Sequence, residues 1–222
     1  MPFQIVRNDI TKMQVDAIVN TASPYPGYGD GVDTAVYASA GPELMEVREK
    51  IGEIEPGSSV MTPGFGLPVR FIIHTVGTFW EDGKSGEEDV IRSCYRSVFE
   101  LAVSNQIETL AIPLLASGSY GFPKGIALRI ALSEIESFLS EHDLTVYLVV
   151  FDEKSYSLSA ELYGDIESYI SDHYVEQKTE EEYPFMGVTM AGRPAPTAMP
   201  AMTAPQAMSA PFAKTGMPDM LS

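Results

Sequence analysis

Short apolar runs and longer stretches with a helical repeat alternate along most of the chain. The short runs predict strands at residues 4–7, 16–20, 57–62, 69–76, 109–115 and 145–151. The longer stretches repeat their apolar residues at three- and four-residue steps and predict helices at residues 31–50, 87–105, 124–139 and 152–175. Because this alternation is typical of α/β proteins, we predict a three-layer α/β/α sandwich.

A glycine-rich loop follows the second predicted strand. The apolar run that ends at Asn20 leads into a segment with glycines at positions 27, 29 and 31, and a helix is predicted to begin near Val32, with Asp33 in its first turn. Backbone N–H groups and the helix dipole make such a strand–loop–helix junction a site for anions.

A second loop of the same kind follows the strand predicted at residues 109–115. Residues 116–122 read ASGSYGF, and Pro123 stands where the next helix would begin. Ligands of α/β folds bind outside the carboxyl ends of the strands, where both loops are expected. Two anion-binding loops at one edge of the sheet favour a ligand with two phosphates.

The charge of the chain bears on how such a ligand would be held. The 222 residues include 31 acidic and 14 basic side chains, a net charge of −17. Nucleic acids and anionic membranes need clustered Lys and Arg, so neither is an expected partner. An anionic ligand must then be held by local backbone dipoles.

Histidine and cysteine residues offer no further chemistry. Cys94 is the only cysteine, which excludes an intramolecular disulfide, and it falls on the apolar side of its predicted helix as a packing residue. His74 lies in an apolar strand and is expected to be a hydrogen-bonded core histidine. We expect no metal and no cofactor. The chain opens without a signal peptide and has no apolar run long enough to span a membrane, so a cytoplasmic location is expected.

Composition changes after residue 175. Residues 184–222 contain seven of the sixteen prolines and seven of the eleven methionines, without a helical or strand period. We predict a folded domain at residues 1–175 and a disordered Pro/Met/Ala-rich tail at residues 176–222. The Met and Phe residues of the tail could still form a short motif that binds a partner protein.

Five segments of the chain, in order and spacing, resemble those of the macro domain, an ADP-ribose-binding module. They are residues 8–11 (NDIT), 15–23 (VDAIVNTAS), 29–33 (GDGVD), 72–77 (IIHTVG) and 116–123 (ASGSYGFP). The resemblance covers roughly residues 1–172 and implies a sandwich with a central mixed sheet. The proline-containing first loop is similar to a bacterial branch of the family with an NTAN–proline–GSGTD-like loop, which implies a bacterial source.

The resemblance implies ligand-binding roles for residues of both loops and of two strand ends. Asp9 would accept a hydrogen bond from the adenine amino group, the backbone of Ile10 would contact the ring, and Phe151 would pack on its face. From the residues alone, a turn role explains Asp9 better than a ligand role does, and a core position explains Phe151 nearly as well. The diphosphate would be bound by Gly29, Gly31, Val32, Ser117, Gly118, Ser119 and Tyr120.

The resemblance also implies a catalytic set of Asp33, Asn20 and Ser23. Asn20 would position the distal ribose, and Asp33 would orient the attacking water. The dipole of its helix is expected to lower the pKa of Asp33. Ser23 stands where the family has a second Asn, and Tyr37 stands where it commonly has a histidine.

Two functions follow as hypotheses. The first is an enzyme that hydrolyses an ester at the distal ribose of ADP-ribose, either in a mono-ADP-ribosylated protein or in an O-acyl-ADP-ribose. The second is a non-catalytic reader of ADP-ribose whose tail recruits another protein. Asp33 favours the enzyme, while Ser23, Tyr37 and Asp30 favour the reader.

Overall fold

The computed structural model describes residues 2–163 and 167–168. Seven strands and five helices follow one another along these residues, and a 3-10 helix at Ile10–Lys12 follows the first strand. The strands are β1 (Phe3–Arg7), β2 (Ala17–Thr21), β3 (Ser59–Pro63), β4 (Phe71–Thr75), β5 (Thr109–Pro113), β6 (Thr145–Val150) and β7 (Glu167–Ser168). The helices are α1 (Val32–Ala40), α2 (Pro42–Ile51), α3 (Glu87–Ser104), α4 (Lys124–Leu139) and α5 (Glu153–Tyr163).

All seven strands belong to one sheet in the order β3-β4-β2-β5-β6-β1-β7. Every pairing is parallel except that of β3 with β4, so the predicted mixed sheet is confirmed. The carboxyl ends of β2, β5 and β6 therefore lie side by side. This is the edge at which the sequence places both loops.

Hydrophobic cores cover both faces of the sheet, because successive residues of a strand point to opposite sides. Val19 packs in the larger core with residues of α3 and α4, whereas its neighbour Ile18 packs in the core that contains residues of α1 and α2. Both side chains are fully buried. The three-layer α/β/α arrangement expected from the sequence is thus confirmed.

The helix predicted at residues 31–50 is two helices. Gly41 ends α1 with a positive φ of 94°, and its N–H bonds to the carbonyl of Tyr37. Pro42 then occupies the first turn of α2. The prediction of one continuous helix was wrong because glycine in this conformation ends a helix and proline favours the start of the next.

The last predicted helix is also shorter than expected. Residues 152–175 were predicted as helix, but α5 ends at Tyr163 and β7 pairs with β1. The edge of the sheet thus offers this segment backbone hydrogen bonds that a local helical period does not reveal. The tail predicted at residues 176–222 lies outside the described residues, and its disorder stays a prediction.

Candidate functional site

A cavity of about 420 Å³ opens at the carboxyl ends of the parallel strands. Its volume falls within the range of small-molecule sites. All ten residues predicted to bind the ligand line this cavity, namely Asp9, Ile10, Gly29, Gly31, Val32, Ser117, Gly118, Ser119, Tyr120 and Phe151. Ser23 lines it as well. The structure therefore brings the two loops and the ends of β1 and β6 to one site.

The second loop presents backbone amides to this cavity. The N–H groups of Gly118, Ser119 and Tyr120 have no backbone acceptor among the described residues. Just before them, Ala116 has a φ of 60°, a left-handed conformation that costs a residue with a Cβ about 1–2 kcal/mol. The strained turn is thus followed by three consecutive donors in residues that line the cavity, an arrangement suited to an anion.

Tyr120 connects the second loop to the end of β2. Its hydroxyl donates to the carbonyl of Ala22 at 3.3 Å, and the exposed ring of Phe79 packs edge-on against it, with the ring centres 4.8 Å apart. Phe79 also lines the cavity. These contacts form a wall at the end of the cavity that the first loop borders.

The first loop is folded tightly against the start of α1. Gly29 donates its N–H to the Asp33 carboxylate at 2.8 Å and accepts a hydrogen bond from the Thr34 hydroxyl. A Cβ at Gly29 would lie 2.5 Å from Oδ2 of Asp33, so this position requires glycine. The N–H groups of Asp30, Gly31 and Val32 have no backbone acceptor in the described part of the chain, and these residues line the cavity.

Two of the three predicted catalytic residues lie behind this loop and do not line the cavity. Asn20 is fully buried and Asp33 is 1% exposed. Nδ2 of Asn20 donates to Oδ1 of Asp33 at 2.5 Å, while the backbone amides of Gly29 and Ser23 hydrogen-bond to the same carboxylate. In this structure Asp33 holds the loop, and Ser23 alone of the predicted catalytic set reaches the cavity.

The pKa of Asp33 differs from the expectation. We predicted that the dipole of α1 would lower it, but burial raises the pKa of Asp33 above its ordinary value. Hydrogen bonds from Asn20, Gly29 and Ser23, with the charge of Arg48, oppose this increase without cancelling it. Loss of hydration thus outweighs the helix terminus, which the sequence could not show because it depends on how the loop covers the side chain.

His74 is the hydrogen-bonded core histidine that the sequence predicts. It is fully buried, and its Nδ1 lies 3.1 Å from Nδ2 of Asn20. Because an amide nitrogen can only donate, Nδ1 accepts, and Nε2–H donates to the hydroxyl of Thr62 at 2.9 Å. Burial and then the charge of Arg48 lower the pKa of His74 to about 3, so the ring is neutral at physiological pH.

At the other end of the cavity, Asp9 and Phe151 stand beside an ion pair. Oδ1 of Asp9 accepts hydrogen bonds from the N–H and the hydroxyl of Thr11, so the turn role considered for Asp9 is present alongside its place in the cavity wall. Lys124 donates to Asp152. Burial favours a higher pKa for Asp152, but hydrogen bonds from Lys124 and Ser155 hold it below its ordinary value.

The cavity residues that sequence reasoning missed include Phe79, Lys124, Asp152 and Ser155. Lys124 begins α4 directly after the second loop, and Asp152 follows the end of β6. The position of Asp152 after a buried strand could have indicated it. The pairing of residues 28 positions apart depends on the fold and has no local signal.

A single carboxylate organises the loop that follows Phe79. Oε1 of Glu87 accepts the N–H groups of Glu81, Asp82 and Gly83 at 3.0–3.2 Å, and Oε2 accepts that of Ser85 at 2.8 Å. Glu87 is 4% exposed. Hydrogen bonds from its own N–H and from the amides of this loop lower the pKa of Glu87 to about 2.

We expect Glu87→Gln to loosen residues 81–85, because a neutral amide accepts these hydrogen bonds more weakly than a carboxylate does. Faster amide hydrogen exchange confined to this loop would be measured, with Glu88→Gln, one position along the same helix turn, as the control. Since the folded pKa lies below the ordinary value of 4.5, the contribution of Glu87 is complete above that value and is lost as pH falls towards about 2. Exchange that is the same in both variants would contradict this role.

Cys94 is 1% exposed, and its thiol donates to the carbonyl of Val76, as expected of a packing residue. Within residues 2–163 and 167–168, no three His, Cys, Asp or Glu side chains are grouped so as to hold a metal ion. Over the same residues, no helix is both long and apolar enough to cross a bilayer.

Comparison with known proteins gives concordant matches. A family model described as Macro domain matches residues 19–131. A macro domain-containing protein of Methanosarcina mazei is 42% identical over 154 residues, which are 68% of this chain and 82% of that protein. An O-acetyl-ADP-ribose deacetylase of Enterobacter sp. (strain 638) is 40% identical over 161 residues, 70% of this chain and 89% of the relative.

A similar solved structure is that of an Oceanobacillus iheyensis macrodomain mutant with ADPR. It superimposes with a TM-score of 0.68 at 38% sequence identity, and the alignment covers 71% of this chain and 89% of that one. The chain is thus similar to these proteins over nearly their whole length.

Proposed function

This chain belongs to the macro domain family, and from that premise we propose that it binds ADP-ribose and hydrolyses an ester at the distal ribose. The substrate is an O-acyl-ADP-ribose or a protein carrying mono-ADP-ribose on an acidic side chain. The relatives named O-acetyl-ADP-ribose deacetylases support the hydrolytic activity, and the macrodomain structure with ADPR supports the ligand.

The observation that carries the proposal is the pair of loops facing one cavity. Each offers three consecutive backbone N–H groups without a backbone acceptor among the described residues, at residues 30–32 and 118–120. Each loop leads into a helix N-terminus, where negative charge is favoured. A diphosphate held between the loops would be bound by fixed dipoles, as an acidic protein with little basic surface requires.

The two ends of the cavity suggest how the rest of the ligand lies. Asp9 and Phe151 support adenine binding at one end, since a carboxylate can accept from the exocyclic amine and an aromatic ring can stack on the base. Ser23 and Tyr120 border the other end, which would hold the distal ribose. The ester would then lie next to the first loop.

Catalysis in this arrangement depends on position. The diphosphate and the loop amides would fix the ester and a water molecule in a reactive geometry, which is itself a large source of rate acceleration. Ser23 is the predicted catalytic residue at the cavity, while Asn20 and Asp33 support the loop from behind. The water would attack the carbonyl carbon of the ester, and the bond from that carbon to the ribose oxygen would break. The ribose oxygen would take up a proton from the water and leave as a hydroxyl group, and the acyl group would be released as a carboxylic acid.

One observation favours the alternative of a non-catalytic reader. Asp33, the carboxylate expected to orient the water, is 1% exposed and occupied by contacts with Asn20 and Gly29. A reader needs only the two loops and the adenine end. Rapid and complete release of the acyl group under single-turnover conditions, with the protein in excess, would exclude this alternative.

The partners and the cellular location of the protein are also proposals. An ADP-ribosylated protein is a partner that the cavity could serve, and residues 176–222 could recruit a further protein. The similarity of the first loop to a bacterial branch of the family and the single cysteine suggest work in a bacterial cytoplasm.

We expect ADP-ribose to bind with a Kd on the order of micromolar, or about −8 kcal/mol, whereas AMP should bind far more weakly because it cannot reach both loops. Isothermal titration calorimetry with both ligands measures this difference, and release of acetate from O-acetyl-ADP-ribose measures turnover. Absence of heat and of a thermal shift with ADP-ribose at millimolar concentration would disprove the proposal.

A further inference from the structure

Arg48 is one of the largest side chains that the fold buries completely, at 1% exposed. It lies on α2, and its guanidinium reaches towards the first loop. Nη1 donates to the carbonyl of Gly52 at 3.1 Å and Nη2 to that of Ser23 at 3.4 Å. Arg48 therefore ties the end of α2 to the start of the loop, although it does not line the cavity.

Asp33 holds the same residue from the other side. The backbone of Ser23 hydrogen-bonds to the Asp33 carboxylate, while its carbonyl accepts from Arg48. The two charged side chains thus meet at Ser23 rather than in a direct ion pair. Because Ser23 lines the cavity, this buried pair sets the position of the cavity wall.

The pair also has an electrostatic consequence. The Asp33 carboxylate accepts the N–H of Gly29, next to residues 30–32, which line the cavity, whereas Asp33 itself does not. An uncompensated negative charge there would oppose an anionic ligand, and little water is present to screen it. The positive charge of Arg48 counters that of Asp33. The wall behind the loop is then close to neutral.

Few other groups around this pair can titrate near neutral pH. Tyr37 on α1 is hydrogen-bonded to Arg48, and burial raises its pKa and that of Tyr120 in the second loop. His74 on β4 stays neutral, because its pKa is about 3. Asp30, on the first loop itself, is exposed to solvent.

We propose that Arg48 is a positioning residue of the ligand site, which holds the carbonyl of Ser23 and balances the charge of Asp33 behind the loop that receives the diphosphate. The inference rests on the proposed function, since it assigns the diphosphate to this loop. Arg48 does not line the cavity and acts through Ser23 and Asp33.

The test is the pH dependence of ADP-ribose binding in Arg48→Met. Without the guanidinium, burial of Asp33 is uncompensated, so its pKa rises further and the carboxylate is charged only above that raised value. We expect affinity to fall at least about tenfold at about pH 8 and to recover towards that of the wild type at about pH 5.5, one pKa unit being a tenfold effect. ADP-ribose has no group that titrates in this window, and the wild type should change less.

Three further variants separate charge from geometry. In Asp33→Asn/Arg48→Met, removal of both charges should restore affinity to within about threefold and flatten the pH profile, as expected of coupled residues. Arg48→Lys keeps the charge but cannot bridge two carbonyls as a planar fork does, so its profile should be flat at an intermediate affinity. Arg129→Met, on an exposed side chain of α4 that pairs with Glu88, is the matched control.

The outcomes are distinct. Wild-type affinity and pH profile in folded Arg48→Met would overturn the inference. A loss that is independent of pH and not rescued by Asp33→Asn would overturn the charge balance and leave Arg48 only the holding of Ser23. Should Arg48→Met fail to fold, folding and binding by the double variant would support it. If neither Arg48→Met nor the double variant folds, Arg48→Lys decides. Reduced ADP-ribose affinity at an unchanged Tm in Arg48→Lys would support the inference, and unchanged affinity would overturn it. A wild type that does not bind ADP-ribose would instead refute the proposed function.

Discussion

Replacement of Gly118 by valine is expected to weaken ADP-ribose binding about 100-fold, or about 2.7 kcal/mol, without lowering the Tm of the free protein. A Cβ at Gly118 would have no atom of the protein within 4 Å, and its φ lies outside the left-handed region. The fold therefore does not require glycine at this position. A side chain would instead occupy the space through which a phosphate approaches the amides of residues 118–120.

Gly125→Val provides the matched control. This glycine lies in the first turn of α4, a Cβ there also meets no atom within 4 Å, and the residue does not line the cavity. Calorimetry and thermal unfolding of both variants give the comparison. Equal ADP-ribose affinity in the two variants would show that the second loop does not receive the diphosphate.

Asp33→Ala is expected to abolish turnover and to lower the free energy of unfolding by about 2–4 kcal/mol, because it leaves buried donors and a buried cation without their partner. The lost contacts are those with Asn20, Gly29 and Ser23, and the uncompensated charge is that of Arg48. Since these contacts hold the first loop, affinity for ADP-ribose should fall together with kcat. Urea denaturation, calorimetry and acetate release measure the three quantities.

Asp143→Ala, an exposed aspartate between α4 and β6, serves as the control for this substitution. The alternative mechanism, in which Asp33 orients the water directly, predicts a different combination. In that case kcat alone would fall, while stability and ADP-ribose affinity would be retained. Such a result would mean that the loop opens during catalysis to expose the carboxylate.

The loop residues that line the cavity could be predicted because their signals are local. A glycine-rich loop between an apolar strand and a helix can be recognised from a short continuous stretch of sequence. The topology of an α/β sheet then brings such loops to one edge of the sheet. Gly118, Ser119 and Tyr120 were found in this way, as were Gly29 and Gly31. The break at Gly41 and Pro42 carried an equally local signal, which the helical period on either side obscured.

The burial of Asp33 could not be predicted in the same way. Its place in the first turn of α1 is a matter of sequence, but its exposure depends on Gly29 folding back over the carboxylate and on Arg48 reaching the loop from α2. The ion pair of Lys124 and Asp152 likewise joins two segments that only the sheet brings together. Long-range packing, and not local pattern, decides which polar side chains meet water.

The hydrogen-bonded pair of Asn20 and His74 has a consequence for how the sheet assembles. The two residues are direct partners in the register of β2 and β4, and His74 continues to Thr62 on β3. Most of their neighbours along these strands are apolar, so strand pairing by hydrophobic contact alone would tolerate a shift of two residues, which keeps every side chain on its own face. Such a shift would set His74 opposite Ile18 and leave buried polar groups unpaired. The hydrogen bonds that link Asn20, His74 and Thr62 therefore favour the observed register of β2, β3 and β4 over registers shifted by two residues.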